Sequence, residues 1–302
     1  MASEALQAII AEIRSRPPAP EGVTFAMMRA APRRQEFPLA GDVRVAPVEA
    51  GGVPAEWVST PNAGDAVVLY FHGGGYALGS IESHRELAAR IARAAAARVL
   101  VVGYRLAPED PFPAAVDDAV AAYRFLLAEG IPSERIVAAG DSAGGGLAAA
   151  LLLALKQAGV RQPAAAVLLS PWTDLSHSGE SLQSRAALDP MVRRDLLERL
   201  ADAYLGGADP RNPLISPLFG DLSGLPPLLI QVGTAEVLYD DAVRFAARAR
   251  AAGVQVTLEP WDEMIHVFQM QASILPEAQE AIEAIGRFVS AKLAVVAAPA
   301  GD

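Results

Sequence analysis

Residues 137–146 read Val-Ala-Ala-Gly-Asp-Ser-Ala-Gly-Gly-Gly, and this stretch decides the fold. An apolar segment leads into it, and an alanine- and leucine-rich helical pattern follows. Gly-x-Ser-x-Gly between a strand and a helix is typical of a nucleophile elbow, a sharp turn that exposes the serine. Gly140 and Gly144 fit because a Cβ at either position would collide with the adjacent strand or helix. The five residues alone also fit a glycine-rich turn with a helix-capping serine, so the rest of the chain must decide.

The composition is that of a globular protein with a large core. The 302 residues are 52% hydrophobic and 20% charged, and the formal net charge is −10. We expect no nucleic-acid partner, because no dense basic patch matches a phosphate backbone. The absence of cysteine excludes disulfides, thiolate catalysis and the usual structural zinc sites. No apolar run reaches the ~18 residues of a membrane span, and the N-terminus does not resemble a signal peptide, so the sequence predicts a cytoplasmic protein.

Continuous apolar runs alternate with helical patterns along most of the chain. The runs lie at residues 66–71, 98–103, 135–139, 164–169, 227–232 and 255–259. This alternation predicts the α/β class, with a mostly parallel central sheet and helices on both faces. Shorter alternating segments between residues 37 and 58 predict an antiparallel hairpin at one sheet edge.

Prolines, charges and a helix over about 190–204 interrupt the alternation after the fourth run, which predicts an inserted lid. A helical pattern that stops at Pro17 precedes the sheet, and its apolar stripe needs a partner surface. The predicted division has an N-terminal segment, an α/β domain in two parts, an inserted segment and a disordered tail. These are residues 1–45, 46–176 with 218–294, 177–217 and 295–302.

A serine nucleophile needs an imidazole to accept its proton and a carboxylate to orient that imidazole. The chain has four histidines. His72 lies in a glycine-rich loop, His84 at the start of an expected surface helix and His177 in the inserted segment. His266 follows a strand, in a loop that can reach a serine at the strand ends, and is the predicted base.

The acid is expected between Ser142 and His266, in the chain order of this class of triad. Glu236 lies four residues past the end of an apolar run, where loops at the strand ends meet. Asp240 and Asp241 are the alternatives, but they fall where the next helix begins, and first-turn carboxylates suit the helix dipole. We therefore favour Glu236.

The first apolar run ends in His-Gly-Gly-Gly at residues 72–75. Glycines let backbone N–H groups approach a developing oxyanion closely, so the three glycines of this loop are candidate donors. The N–H of Ala143, at a helix N-terminus, is a further candidate. A glycine-rich turn is the structural alternative. The loop, the elbow, the late histidine and the preceding carboxylate together favour catalysis.

Several motifs carry a resemblance to a known family. They are His72-Gly73-Gly74-Gly75-Tyr76, Tyr104-Arg105-Leu106-Ala107-Pro108-Glu109, Gly140-Asp141-Ser142-Ala143-Gly144-Gly145, Asp189-Pro190-Met191 and His266. Over residues 55–290 the chain resembles the bacterial hormone-sensitive-lipase family (family IV) of carboxylesterases. The resemblance implies an α/β-hydrolase fold, with residues 46–176 and 218–294 as the catalytic domain and a helical cap built from the N-terminal segment 1–45 and the inserted segment 177–217. It also implies a cytoplasmic enzyme for esters of short- to medium-chain acids.

Carried over by position, the resemblance implies that Ser142 is the nucleophile, His266 the base, and Gly73, Gly74 and Ala143 the oxyanion donors. Glu236 stands where the family more often has aspartate, which leaves its detailed approach to the imidazole open. The family's usual His-Gly-Phe is His-Val-Phe here, with Val267 after the base.

The remaining predictions concern the surroundings of the triad. Asp141 is expected to cap the following helix, with tuning of the electrostatics beside Ser142 as the alternative. Tyr104, Arg105 and Glu109 are expected to form one structural cluster. Apolar residues of the cap and the glycine loop are expected to line the acyl pocket, with plain cap packing as the alternative. These residues are Tyr76, Met27, Met28, Leu200 and Tyr204.

The sequence therefore predicts a serine ester hydrolase that acts through an acyl-enzyme and requires no metal or organic cofactor. A deacetylase or amidase with the same triad is one alternative. A ligand-binding protein is another, since plant gibberellin receptors resemble this family but lack the histidine; an interaction protein is a third. The expected partner is a small-molecule ester, and the edge strand at 255–259 predicts a homodimer.

Overall fold

The computed structural model describes residues 2–17, 22–31 and 37–297, and within them the centre of the molecule is one eight-stranded sheet. The strands are β1 (Arg44–Glu49), β2 (Pro54–Ser59), β3 (Val67–Phe71), β4 (Arg98–Val102), β5 (Ile136–Asp141), β6 (Ala165–Leu169), β7 (Leu228–Gly233) and β8 (Val256–Trp261). Their order across the sheet is β1-β2-β4-β3-β5-β6-β7-β8. The pairs β1–β2 and β2–β4 are antiparallel, and the other pairs are parallel. This confirms the predicted α/β class and the hairpin at one edge.

The described residues form the helices α1 (Glu4–Arg14), α2 (Phe25–Ala30), α3 (Ile81–Ala95), α4 (Ala114–Ala128), α5 (Ala143–Gln157), α6 (Ser181–Ser184), α7 (Arg194–Leu205), α8 (Tyr239–Ala251) and α9 (Pro276–Ala297). Of these, α4, α5 and α8 cover one face of the sheet, and α1, α3 and α9 cover the other. Successive strand side chains point to opposite faces. In β3, Val67, Leu69 and Phe71 belong to the core with α4, α5 and α8, and Val68 and Tyr70 to the core with α1, α3 and α9. Burial on both faces explains the continuous apolar runs of the inner strands.

The elbow between β5 and α5 has the strained geometry expected from its glycines. Ser142 has φ of 54° and ψ of −122°. A Cβ on Gly140 would lie 2.3 Å from the carbonyl oxygen of Gly144, and one on Gly144 would lie 2.0 Å from that of Phe71. Only glycine fits at either position, so the steric interpretation of the motif is confirmed.

Some helix boundaries differ from the prediction. Helix α7 begins at Arg194, because the Asp189 carboxylate accepts hydrogen bonds from the amides of Met191 and Val192 and holds a turn there. Helix α9 continues to Ala297 and takes in the first three residues of the predicted tail, so the tail boundary was wrong. Residues 277–297 contain no proline that would end the helix earlier. Residues 298–302 lie outside the described residues.

Strand β8 forms the edge opposite β1, where it pairs with β7. The predicted homodimer through this edge stays a prediction, which size-exclusion chromatography with light scattering tests. None of the described helices combines the length and apolar character needed to cross a bilayer.

Candidate active site

Three loops at the carboxyl ends of parallel strands bring the predicted triad together. Ser142 follows β5, Glu236 follows β7 and His266 follows β8. The Nε2 atom of His266 lies 2.9 Å from the Ser142 hydroxyl oxygen, and its Nδ1 atom lies 2.7 Å from Glu236 Oε2. The serine, the imidazole and the carboxylate therefore form one hydrogen-bonded chain.

The carboxylate of Glu236 is fully buried beneath His266. Its Oε1 atom accepts hydrogen bonds from the hydroxyl of Ser170 at 2.7 Å and the amide of Gly233 at 2.5 Å. Burial by itself lowers the pKa of His266, but the hydrogen bond and charge of Glu236 outweigh it, so the pKa lies above its ordinary 6.5. The carboxylate of Glu236 therefore favours the protonated, imidazolium form of His266.

The two alternative acids have other partners. Asp240 Oδ2 accepts a hydrogen bond from the amide of Ser181, and Asp241 Oδ2 accepts from the amides of Thr173 and Asp174. Burial, with the charge of Asp174, raises the pKa of Asp241 to about 8. Both carboxyls lie in the first turn of α8 and hold the segment that follows β6.

The glycine loop does not offer the predicted pair of donors. The amide of Gly73 donates to Asp141 Oδ1 at 3.0 Å, so Gly73 is not free to bind an oxyanion and that prediction was wrong. Within the described chain, no protein oxygen accepts a hydrogen bond from the amides of Gly74, Gly75 or Ala143. Gly74 and Gly75 have φ of 121° and 62°, a left-handed backbone that favours glycine. Gly75, which the family resemblance did not assign, is thus a candidate donor in place of Gly73.

Asp141 was predicted to cap α5. Its carboxylate binds the glycine loop and does not cap the helix. Its Oδ1 also accepts from the Tyr70 hydroxyl at 2.7 Å, and its Oδ2 lies 3.3 Å from His84 Nε2. Burial raises the pKa of Asp141, but the charge and hydrogen bond of His84 and the Tyr70 hydrogen bond more than offset it, leaving the pKa below its ordinary value. The expectation that His84 lies on a surface helix was also wrong, because α3 turns this side chain inward against Asp141.

The other two histidines lie outside the triad. His72 is buried, its ring stacks on Tyr104 at 4.3 Å, and burial with the nearby His84 charge lowers its pKa to about 4. His177 stacks on Trp172 in the segment after β6.

Tyr104, Arg105 and Glu109 do not form the single cluster that was predicted. The Tyr104 hydroxyl donates to the carbonyl of His72, Arg105 pairs with Asp118 on α4, and Glu109 pairs with Arg29 on α2. The three side chains point in different directions, so each fixes a separate element: the glycine loop, α4 and the N-terminal segment.

A cavity of about 540 Å³ opens above Ser142 and His266. The N-terminal segment contributes Ile13 and Arg16 to its wall. The segment around α7 contributes aliphatic and methionine side chains, which are Met191, Val192, Leu196, Leu197 and Leu200. Leu200 reaches the glycine loop, since a Cβ on Gly75 would lie 2.5 Å from its Cδ1.

Leu200 is the one residue of the predicted acyl pocket that lines this cavity. Tyr76 and Tyr204 are buried and stack on each other at 3.7 Å behind it. Met28 packs against the core, and Met27 is 57% exposed. Tyr76 and Tyr204 do not line the cavity because their rings pair with each other, and Met27 and Met28 are not among its lining residues either. Leu196, one helical turn before Leu200, was missed, although the helical spacing contained the signal.

A hydrogen-bonded serine, imidazole and carboxylate at the carboxyl ends of parallel strands define a serine hydrolase of the α/β-hydrolase fold. Comparison with known proteins agrees. A family model described as alpha/beta hydrolase fold matches residues 68–270. The acetyl-hydrolase of Streptomyces hygroscopicus is 51% identical over 265 residues, which are 85% of this chain and 89% of that protein. The esterase of Acinetobacter venetianus is 37% identical over 84% of each chain.

Solved structures of esterases are similar to this structure over nearly the whole chain. The crystal structure of EstE5 soaked with p-nitrophenyl butyrate has a TM-score of 0.93 and 43% identity, covering 97% of this chain and all of that one. An esterase from the bacterial hormone-sensitive lipase family has a TM-score of 0.91 and 48% identity, covering 97% and 99%. This chain belongs to the alpha/beta hydrolase family, in its hormone-sensitive lipase branch, and is an ester-bond hydrolase.

Proposed function

We propose that this enzyme hydrolyses esters of short- to medium-chain acids through a Ser142–His266–Glu236 triad and an acyl-enzyme intermediate. The observation that carries the proposal is the unbroken hydrogen-bonded chain from Glu236 through His266 to Ser142, at the base of an apolar cavity.

In the first half-reaction, the Ser142 oxygen attacks the ester carbonyl while His266 Nε2 accepts the serine proton. The amides of Gly74, Gly75 and Ala143 donate to the developing oxyanion. His266 then protonates the leaving alkoxide, which departs as the alcohol and leaves the acyl group on Ser142.

In the second half-reaction, His266 removes a proton from a water molecule, which attacks the acyl-enzyme carbonyl. The same amides bind the second oxyanion. The proton on His266 returns to the Ser142 oxygen as the acid is released.

The cavity supports the preference for shorter acyl chains. Leu200 packs directly on Gly75, next to the amides that would bind the oxyanion. Its side chain therefore limits the length of the acyl chain that fits in the cavity at this point. The names of relatives support the same direction, since they include an acetyl-hydrolase and an ethyl acetate hydrolase of Pseudomonas putida.

The ligand-binding alternative is disfavoured because His266 is present and within hydrogen-bond distance of Ser142. A triad by itself does not decide whether the substrate is an ester or an amide, so the experiment described next includes a substrate of each kind.

The test is hydrolysis of p-nitrophenyl esters with acyl chains of about two to sixteen carbons, alongside p-nitroacetanilide. The variants are Ser142→Ala, His266→Ala and Glu236→Gln, with Asp240→Asn as a matched control outside the triad. We expect activity to peak at short chains and to fall by roughly 10⁴-fold or more in Ser142→Ala and His266→Ala. Retained activity in Ser142→Ala would overturn the proposal, and a larger loss in Asp240→Asn than in Glu236→Gln would reassign the acid.

A further inference from the structure

Ser170 lies directly after β6, between the loops that carry Glu236 and His266. It is fully buried, and its backbone has φ of 45°. Its amide donates to the carbonyl of Gln231 in β7 at 2.7 Å, which fixes the backbone at this point. The side chain is therefore held in one place by the sheet itself.

The hydroxyl of Ser170 has two partners, one in each loop. It donates to Glu236 Oε1 at 2.7 Å and accepts from the amide of Val267 at 3.1 Å. A hydroxyl has a single proton to donate, so that proton is committed to the carboxylate. The other carboxylate oxygen, Oε2, faces His266 Nδ1.

We propose that Ser170 is a positioning residue of the triad, which fixes the carboxylate of Glu236 against His266 and holds the loop of His266 in register with it. The proposal rests on the catalytic roles given above to Glu236 and His266.

The physical reason is the length of the acid. A glutamate has one more rotatable bond than an aspartate, so its carboxylate needs a second anchor to keep Oε2 aimed at the imidazole. Gly233 supplies one bond to Oε1 and Ser170 the other. A hydrogen bond to a buried charged group is among the stronger ones, and removing its donor leaves the charge under-solvated.

The test compares Ser170→Ala and Ser170→Gly with wild type. Both remove the hydroxyl, but glycine tolerates the positive φ and keeps the backbone free of strain. Ser216→Ala is the matched control, because Ser216 is equally buried and its hydroxyl likewise accepts from an amide, that of Leu175, and donates to a carbonyl, that of Pro210.

We expect kcat on a p-nitrophenyl ester to fall on the order of tenfold in both Ser170 variants and to stay near wild type in Ser216→Ala. We also expect the acidic limb of the kcat/KM profile to move to lower pH in the Ser170 variants. That limb reports His266, whose interaction with Glu236 would be weakened. A purely structural role would lower the melting temperature and leave the limb in place, and this result would overturn the proposal.

A double-mutant cycle separates the two hypotheses. In a Glu236→Ala background, Ser170→Ala should change kcat by less than about twofold, because no carboxylate remains to be positioned. An undiminished loss in that background, or wild-type kinetics in Ser170→Ala and Ser170→Gly, would contradict the proposal for Ser170. Full activity in Ser142→Ala would contradict the triad itself, so the two failures are distinguishable.

Discussion

The amide of Gly73 donates a hydrogen bond to the carboxylate of Asp141, 68 residues further along the chain, at 3.0 Å. This bond joins the glycine loop after β3 to the residue just before Ser142. It holds the glycine loop beside Ser142 and commits the amide of Gly73 to Asp141, whereas the amides of Gly74 and Gly75 donate to no protein oxygen within the described residues.

Replacing Asp141 tests this connection. Asp141→Asn keeps an acceptor for Gly73 and Tyr70, so kcat on p-nitrophenyl acetate should fall by no more than about tenfold. Asp141→Ala removes every partner, and we expect a loss of roughly 100-fold, comparable to losing an oxyanion donor. Equal activities of the two folded variants, checked by circular dichroism, would contradict this role.

The packing of Leu200 on Gly75 gives a second prediction. A Cβ on Gly75 would lie 2.5 Å from Leu200 Cδ1, so Gly75→Ala should reduce kcat by roughly 10- to 100-fold by displacing the loop. Adding Leu200→Ala removes the obstruction. We expect the double variant to recover activity to within about tenfold of wild type and to prefer longer acyl chains, as measured on the p-nitrophenyl ester series. Failure of this rescue would show that the positive φ, and not Leu200, requires glycine.

The electrostatics of His266 predict the pH dependence of the reaction. The base must be neutral to accept the serine proton, so kcat/KM falls as pH drops through the pKa of His266. Because that pKa is raised, the acidic limb should lie above 6.5 in the wild-type enzyme. Glu236→Gln removes the charge while burial remains, so its limb should lie at lower pH. A limb that is unmoved in Glu236→Gln would exclude Glu236 as the source of the shift.

Asp241 gives a prediction about stability. Its pKa is raised to about 8 in the folded protein from an ordinary 3.8, so the folded state holds this proton more tightly than the unfolded state. The resulting stabilisation is complete below pH 3.8 and is lost as pH rises through 8. Asp241→Asn is nearly isosteric and does not titrate.

Urea unfolding between pH 5 and 9 tests the predicted effect of Asp241 on stability. The free energy of unfolding should decline more steeply with pH in the wild type than in Asp241→Asn. Asp240→Asn is the control, and it should follow the wild-type slope. Parallel curves for wild type and Asp241→Asn would refute the prediction.

The sequence by itself determined the sheet, the elbow and the three triad candidates. The inner strands are buried on both faces, so their apolar runs are unbroken and easily recognised. Gly140 and Gly144 mark the elbow because a Cβ would collide there with backbone atoms, which no side-chain rearrangement relieves. These signals depend only on residues that are neighbours in the sequence, so they can be recognised without the tertiary structure.

Tertiary structure decided which groups face one another. Asp141 precedes a helix, and this position predicted a helix cap. The fold instead places Gly73 and His84, which are distant in sequence, beside its carboxylate. Tyr76 and Tyr204 were predicted to line the acyl pocket, but their rings stack on each other beneath the cap. Ser170 gave no motif, because its importance arises only when the ends of β6, β7 and β8 meet. Side-chain partners across strands depend on sheet order and register, which are set by the packing of the whole chain and not by any local pattern.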